Sequence, residues 1–139
     1  HEIPVSYLFN VAQVFQVDLT VLMSGNEAHL HTASLVKKGK GMSVERRKDY
    51  DYKSLAYRFV GRRMEPFVVT VPPKDKHALT FNEHPGQEFI YVLSGKLEIT
   101  LGSTVHVMEP GDSLYFTSRT PHALRGLDGQ PAEFLDVII

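Results

Sequence analysis

Asn82-Glu83-His84-Pro85-Gly86-Gln87-Glu88, continuing into Phe89-Ile90-Tyr91-Val92-Leu93-Ser94-Gly95, is the stretch that decides the fold. Pro85-Gly86 suits the two central positions of a type II turn, since proline fixes φ near its preferred value and glycine accepts a positive φ. His84 and Glu88 therefore flank a reversal of the chain. Residues 89–93 are apolar at every position, which predicts a strand covered on both faces. One face lines an interior, and the other meets a second layer or a partner subunit. Parity then puts Glu88, Ile90 and Val92 on the interior face. A carboxylate there is costly unless it is paired or bound to a metal.

Working outward, residues 96–101 alternate, with Leu97, Ile99 and Leu101 inward and Gly95 and Gly102 as turns at the two ends. The same parity carries Val105 and Val107 inward and leaves His106 on the outer face, as a surface histidine. Pro110-Gly111-Asp112 precedes a strand at 114–116, Pro121-His122 leads into Ala123-Leu124, and residues 134–139 form the last strand. Upstream, 35–36, 42–44, 55–60 and 66–71 are strand candidates split by glycines and charged turns. Many short strands with turns at regular intervals predict an antiparallel barrel or sandwich.

His122 stands at a strand start from which it can converge on His84 and Glu88. Two imidazoles and one carboxylate with open positions suit non-haem Fe(II), with Mn(II), Ni(II) or Zn(II) as alternatives. The chain has no cysteine, so thiolate sites and disulfides are excluded and only imidazole and oxygen donors remain. Tyr91, Phe116, Arg119 and Arg125 are candidates for lining the same pocket. The competing reading is a metal-free barrel whose polar residues hold water or an organic ligand. No serine- or cysteine-type catalytic arrangement accompanies the trio.

Charge is uneven along a nearly neutral chain: residues 36–63 hold ten Lys and Arg against three acids. Without interleaved aromatics or a glycine-rich phosphate loop, this stretch reads as solvated surface and linker. His29 and His31 sit in an extended linker at 26–34 and read as exposed. No apolar run is long enough to cross a bilayer and no signal-peptide pattern opens the chain, so a cytoplasmic protein is expected. The chain begins at a histidine, the expected mark of a fragment of a longer polypeptide. Residues 3–25 read as two short helices: Pro4 suits a first turn, Leu8, Val11, Ala12 and Phe15 recur at helical spacing, and Asp18 or Thr20 caps the second.

Two resemblances sharpen these expectations. The sequence from Ile3 through Pro4, Leu8, Ala12, Asp18 and Thr20 to Leu22 resembles the last helices of the phage-repressor-like (XRE) helix-turn-helix family, with the groove-reading helix falling upstream of the chain. His84, Glu88 and Gly95, followed by Pro110-Gly111-Asp112 and Pro121-His122, are similar to the two motifs of the cupin superfamily. That second resemblance implies a double-stranded β-helix, a jelly-roll-like antiparallel barrel, with a ligand site in its mouth. Asn82 stands where the first cupin histidine usually sits, and Gly126 where a later Asn often does. Asn82 is then a weak fourth ligand through its amide oxygen, or it orients water. The trio that remains resembles the iron site of the hydroxypropylphosphonate epoxidases, which also join a helix-turn-helix-like domain to a cupin.

Taken in order, the expectation is a mainly β chain with a short N-terminal helical segment: a helix-turn-helix remnant at 1–25, a linker at 26–34 and a barrel at 35–139. Function follows as a metal- or ligand-sensing domain of a DNA-binding transcriptional regulator, a homodimer whose small-molecule effector shifts its DNA-binding geometry. DNA would be met through helices largely upstream. The alternative is a metal-dependent cupin enzyme, oxygenase- or epoxidase-like, using the same two histidines and one carboxylate.

Overall fold

The computed structural model describes residues 32–47 and 49–139. The helices expected at 3–25, and His29 and His31 of the linker, lie outside the described residues. The strands, in chain order, are β1 (Met42–Val44), β2 (Asp51–Ser54), β3 (Glu65–Val71), β4 (Gln87–Ser94), β5 (Leu97–Leu101), β6 (Thr104–Met108), β7 (Ser113–Thr117), β8 (His122–Gly126) and β9 (Ala132–Ile138). They form a six-stranded sheet in the order β1-β2-β3-β9-β4-β7 and a three-stranded sheet in the order β6-β5-β8. Every strand ladder is antiparallel. Among the described residues the helical content is one 3-10 turn, Lys76–Ala78, in which the His77 N–H donates to the Asp75 carboxylate.

Alternation builds the interior. Phe67, Val69 and Val71 on β3, Ala132 and Phe134 on β9, and Ile90 and Val92 on β4 all turn inward and are buried. They join Leu97 and Ile99 from β5 and Leu124 from β8 in one core cluster. Each fully buried large side chain contributes roughly 1.5–3 kcal/mol, so the two sheets hold together through this shared interior. Tyr50, just ahead of β2, adds a polar tie: its hydroxyl accepts from the Leu124 N–H and donates to the Leu124 carbonyl, both at 3.1 Å.

Two expected strands are absent. Residues 35–36 are irregular, and 55–60 form a turn in which the Phe59 N–H donates to the Ala56 carbonyl at 3.1 Å. Their apolar residues lack alternation, and all six positions of 55–60 are only half-buried. The strand lies instead at β2, where Tyr52 and Ser54 are inward and Asp51 and Lys53 outward against β3.

A second correction concerns parity. Leu101 pairs with Thr104 and Ile99 with His106, so the two-residue turn transfers the inner face from odd positions on β5 to even positions on β6. His106 therefore shares the inner face with Ile99, while Val105 and Val107 point outward, 47% and 54% exposed. Carrying parity straight through a hairpin loses this inversion.

Strand β4 also departs from full coverage. Its inner face is buried, but Tyr91 and Leu93 are 41% and 44% exposed on the outer face, with Tyr115 of the neighbouring strand exposed beside Phe89. The apolar outer face of this strand is open in the single chain.

Candidate metal centre

His84, Glu88 and His122 come together at one end of the barrel, each offering a ligand atom within 4.8 Å of the others. Glu88 is the second residue of β4, at an inward position and almost fully buried. His122 opens β8 and is equally buried, its ring edge-on to Phe116 with centroids 5.1 Å apart. His84 precedes β4 in a turn docked on residue 118: its N–H donates to the Ser118 carbonyl, and the Ser118 N–H donates to the Gly86 carbonyl. Gly86 takes φ 102°, as the turn demands. It has a second reason to be glycine, because a Cβ there would stand 1.9 Å from the Ile139 carbonyl oxygen.

The hydrogen-bond geometry defines the chemistry. His84 Nδ1 lies 3.0 Å from the Pro85 carbonyl and His122 Nδ1 lies 2.7 Å from the Thr120 carbonyl. A carbonyl only accepts, so each Nδ1 carries the proton and a neutral ring turns a bare Nε2 the other way. Those two Nε2 atoms face the same carboxylate oxygen, Glu88 Oε2, at 2.7 and 3.4 Å. With both rings neutral in that tautomer, the buried oxygen has no hydrogen-bond donor. Three acceptors converging without a proton between them fit a cation, and a backbone carbonyl on the far nitrogen is the support that metal-bound imidazoles use.

Without a cation the site answers with protons. The hydrogen bond to Glu88 raises the His84 pKa above its ordinary 6.5, against the opposing effect of burial. Burial pushes the Glu88 carboxyl up, but hydrogen bonds from His122 and His84 outweigh it and hold the group well below the usual carboxylate range. Asp136 is the neighbouring acid, on β9, and only 3% exposed. Burial first, then the Glu88 charge, raises its pKa well above the ordinary value.

The remaining candidates scatter. Phe116 packs on His122 inside the barrel. Asn82 is bridged to His122 by reciprocal N–H to carbonyl bonds of 2.9 Å, which places it beside that histidine, itself exposed. Tyr91 and Arg125 are not in the pocket. Tyr91 points to the outer face of β4, opposite Glu88. Arg125 is on the outer face of β8, where its guanidinium grips both oxygens of Glu98 at 3.0 Å and donates to the Lys74 carbonyl. It borders a separate surface hollow of about 370 Å³ with Pro73, Asp75 and Asp128. Arg119 is exposed.

Two residues near the trio have no place in the motifs. Asp136 was legible as an acid at an inward parity position of an apolar strand. Arg46, in the loop after β1, lies with Cζ 5.4 Å from the ring centre of fully buried Phe67 and 5.8 Å from that of Tyr52. It belongs to the basic stretch that reads as solvated surface, and nothing local marks it out.

Comparison with known proteins agrees with this architecture. Residues 67–138 match the cupin-domain family. No curated protein sequence matches the chain significantly. Among solved structures, the fold is similar to the Fe(II) form of HppE, at 20% identity and a TM-score of 0.65 over 99% of this chain and 77% of that one. Hydroxypropylphosphonic acid epoxidase from S. wedmorenis aligns at 23% identity and a TM-score of 0.66 over 96% of this chain and 74% of that one. The cupin domain of an XRE family transcriptional regulator from Enterobacter cloacae aligns at 24% identity and a TM-score of 0.55 over 66% of this chain and 96% of that one.

Proposed function

We propose, for a chain that belongs to the cupin family, that the barrel binds a divalent metal through His84, Glu88 and His122 and receives a small molecule there, as the sensor of a DNA-binding regulator. The observation that carries the metal is the pair of Nε2 atoms aimed at one buried carboxylate oxygen, each ring's Nδ1 being turned to a backbone carbonyl. Imidazole and carboxylate donors in this number suit Fe(II), Mn(II), Ni(II) or Zn(II). Bound there, such an ion supplies a Lewis-acid centre with open positions for a chelating ligand. Phe116 packs His122 in place, Asp136 lies diagonal to Glu88 on the same buried face of the sheet, and Asn82 beside His122 orients water or lends a weak oxygen ligand.

Support for a regulator comes from the fold shared with the E. cloacae regulator domain and from the helix-turn-helix resemblance of residues 3–22. Strand β4 offers a route from site to partner. Glu88 lies on its inner face and Phe89, Tyr91 and Leu93 on its open apolar face, where a second copy of the chain would pack. Occupancy of the site would then favour one dimer arrangement and so one spacing of the DNA-reading helices.

A metal-dependent enzyme, oxygenase- or epoxidase-like, is the second reading. The observation favouring it is that the likeness to HppE extends over nearly the whole chain. The discriminating experiment takes the full-length gene product with its native metal. Sequence-specific DNA retardation that changes with the metal or an added ligand supports the regulator. Oxygen consumption with candidate substrates, in the absence of any such retardation, favours the enzyme. Metal content unchanged in His84→Ala would refute the site under both.

A further inference from the structure

The chain protects its sheet edges unequally. An edge strand offers a row of unpaired N–H and C=O groups, which folded proteins blunt with charge, brevity or cover. Strand β1, at one edge of the six-stranded sheet, is three residues long and lies between Lys40 and Glu45-Arg46-Arg47. Strand β8, at one edge of the smaller sheet, is covered by isolated bridges from Pro73 to Gly126 and from Asn82 to His122. Strand β7 turns polar Ser113 and Thr117 outward with Tyr115, whose hydroxyl donates to the Gln87 side-chain oxygen. Strand β6 has none of these devices. Among the described residues no strand pairs with its free edge, and its outward side chains are Val105 and Val107. These valines are about half exposed, at 47% and 54%.

Register decides which backbone groups that edge presents. Leu101 and Thr104 close the turn at Gly102, whose φ of 58° suits the first central position of a type II′ turn. Such a closing pair is hydrogen-bonded, and every second pair along the ladder repeats it. Thr104, His106 and Met108 therefore bond β5, while Val105 and Val107 turn both N–H and C=O to the free edge. The sequence about His106 is nearly its own reverse, Thr104-Val105-His106-Val107-Met108. Two copies laid antiparallel about a two-fold axis at His106 put Val105 of each opposite Val107 of the other. That register satisfies the N–H and C=O of both valines in both copies and gathers the valines into one apolar patch. Charge complementarity permits it. Residues 101–108 hold no Lys, Arg, Asp or Glu, and Glu109 of one copy meets Ser103 of the other.

We infer that β6 is a self-pairing edge: a second copy of the chain adds its own β6 there, antiparallel about His106, and fuses two three-stranded sheets into one. The partner is the chain itself, because an isologous contact needs a stretch that complements itself. This goes beyond the packing proposed for the outer face of β4, which belongs to the other sheet. A chain that uses both contacts assembles beyond a dimer. The paired edge also lies in the sheet that carries a metal ligand. Strand β8, which opens on His122, flanks β5 on the side opposite β6.

The test uses the full chain, which has no cysteine, so a single introduced thiol can form a disulfide only between copies. Opposed residues of a non-hydrogen-bonded pair stand about 4.5 Å apart at Cα, inside the disulfide range. In the inferred register the two His106 positions meet in this way, while the two Val105 positions lie roughly 9 Å apart, beyond that range. His106→Cys is therefore expected to give a disulfide-linked dimer under mild oxidation, and Val105→Cys several-fold less. Random collision gives the reverse order, since Val105 is the more exposed. Molar mass by light scattering supplies a second readout. Val107→Lys, at a position more than half exposed, is expected to halve the mass, and Tyr91→Lys touches only the β4 face. Crosslinking of Val105→Cys equal to or above that of His106→Cys, crosslinking of neither, or an unchanged mass in Val107→Lys overturns the inference. If His106→Cys does not fold, the mass of Val107→Lys decides alone. A mass that falls in Val107→Lys but not in Tyr91→Lys supports the β6 edge and removes the β4 contact. The opposite result overturns the β6 edge and leaves the β4 contact standing.

Discussion

Glu88 and Glu98 lie on neighbouring stretches of the chain, both nearly buried, and each is met by nitrogen. Glu98 meets a guanidinium that is always charged and fits both its oxygens at 3.0 Å. Glu88 meets two imidazoles whose protons are already committed to the Pro85 and Thr120 carbonyls. The Glu98 pair is complete within the chain and ties the neighbouring strands β5 and β8 of one sheet. The Glu88 cluster is complete only with a proton or a cation brought from outside, which is the difference between a structural ion pair and a binding site.

That contrast can be broken most severely at the trio. Glu88→Gln removes the anionic ligand and is expected to reduce metal affinity by about 100-fold or more, since even outer-shell losses cost 10–100-fold. Metal analysis after dialysis reads this directly. Glu98→Gln should leave metal content unchanged, and equal metal loss in both variants would erase the distinction drawn here.

Stability should respond in the opposite sense. Glu98→Ala strands the Arg125 guanidinium, whose side chain is 16% exposed against 10% for Glu98. Partial screening lowers the usual cost of an orphaned charge to about 2–3 kcal/mol, measurable by urea denaturation. Glu88→Gln in metal-free protein should cost less, because burial penalises that carboxylate before its imidazole bonds repay it.

Acidity separates the two sites further. The raised His84 pKa contributes stability that is full below its ordinary 6.5 and fades as pH climbs through the raised value. The lowered Glu88 pKa contributes stability that is full above its ordinary 4.5 and fades as pH falls. The metal-free trio should therefore stabilise most between about pH 4.5 and 6.5, by an amount on the order of 1 kcal/mol per unit of pKa displacement. Denaturation curves of wild type against His84→Ala across pH 4 to 9 check this. Metal affinity should run the other way above that window, rising as His84 gives up its proton. A metal affinity that does not change with pH would speak against His84 as a ligand. The smallest effect is expected at Asn82: Asn82→Ala should weaken metal retention only a few-fold, roughly the worth of one water-mediated or weak contact.

Much of the fold was legible because strand parity is a local property. The alternation of residues 97–101 and 66–71, and the continuous apolar run at 89–93, gave strands within a residue or two of β5, β3 and β4. The spacing of His84, Glu88 and Gly95, and Pro121 before His122, marked residues that the fold brings within ligand distance. Tyr91 failed as a pocket residue against the parity of its own strand, which turns Glu88, Ile90 and Val92 inward and Tyr91 outward, and Arg125 failed because parity across a loop cannot be counted from sequence. His106 failed for the same reason, one hairpin having exchanged odd for even positions.

By itself, then, the sequence determined an antiparallel β fold and the identity of three converging polar residues, because both depend on spacings of a few positions along one strand or turn. Tertiary structure alone decided the rest. It chose which face each strand presents, set Asp136 against Glu88 from a distant strand, and leaned Arg46 from a basic loop over Phe67. Those contacts join residues far apart in the chain, and register between non-neighbouring strands is fixed by packing of the whole interior rather than by any local pattern.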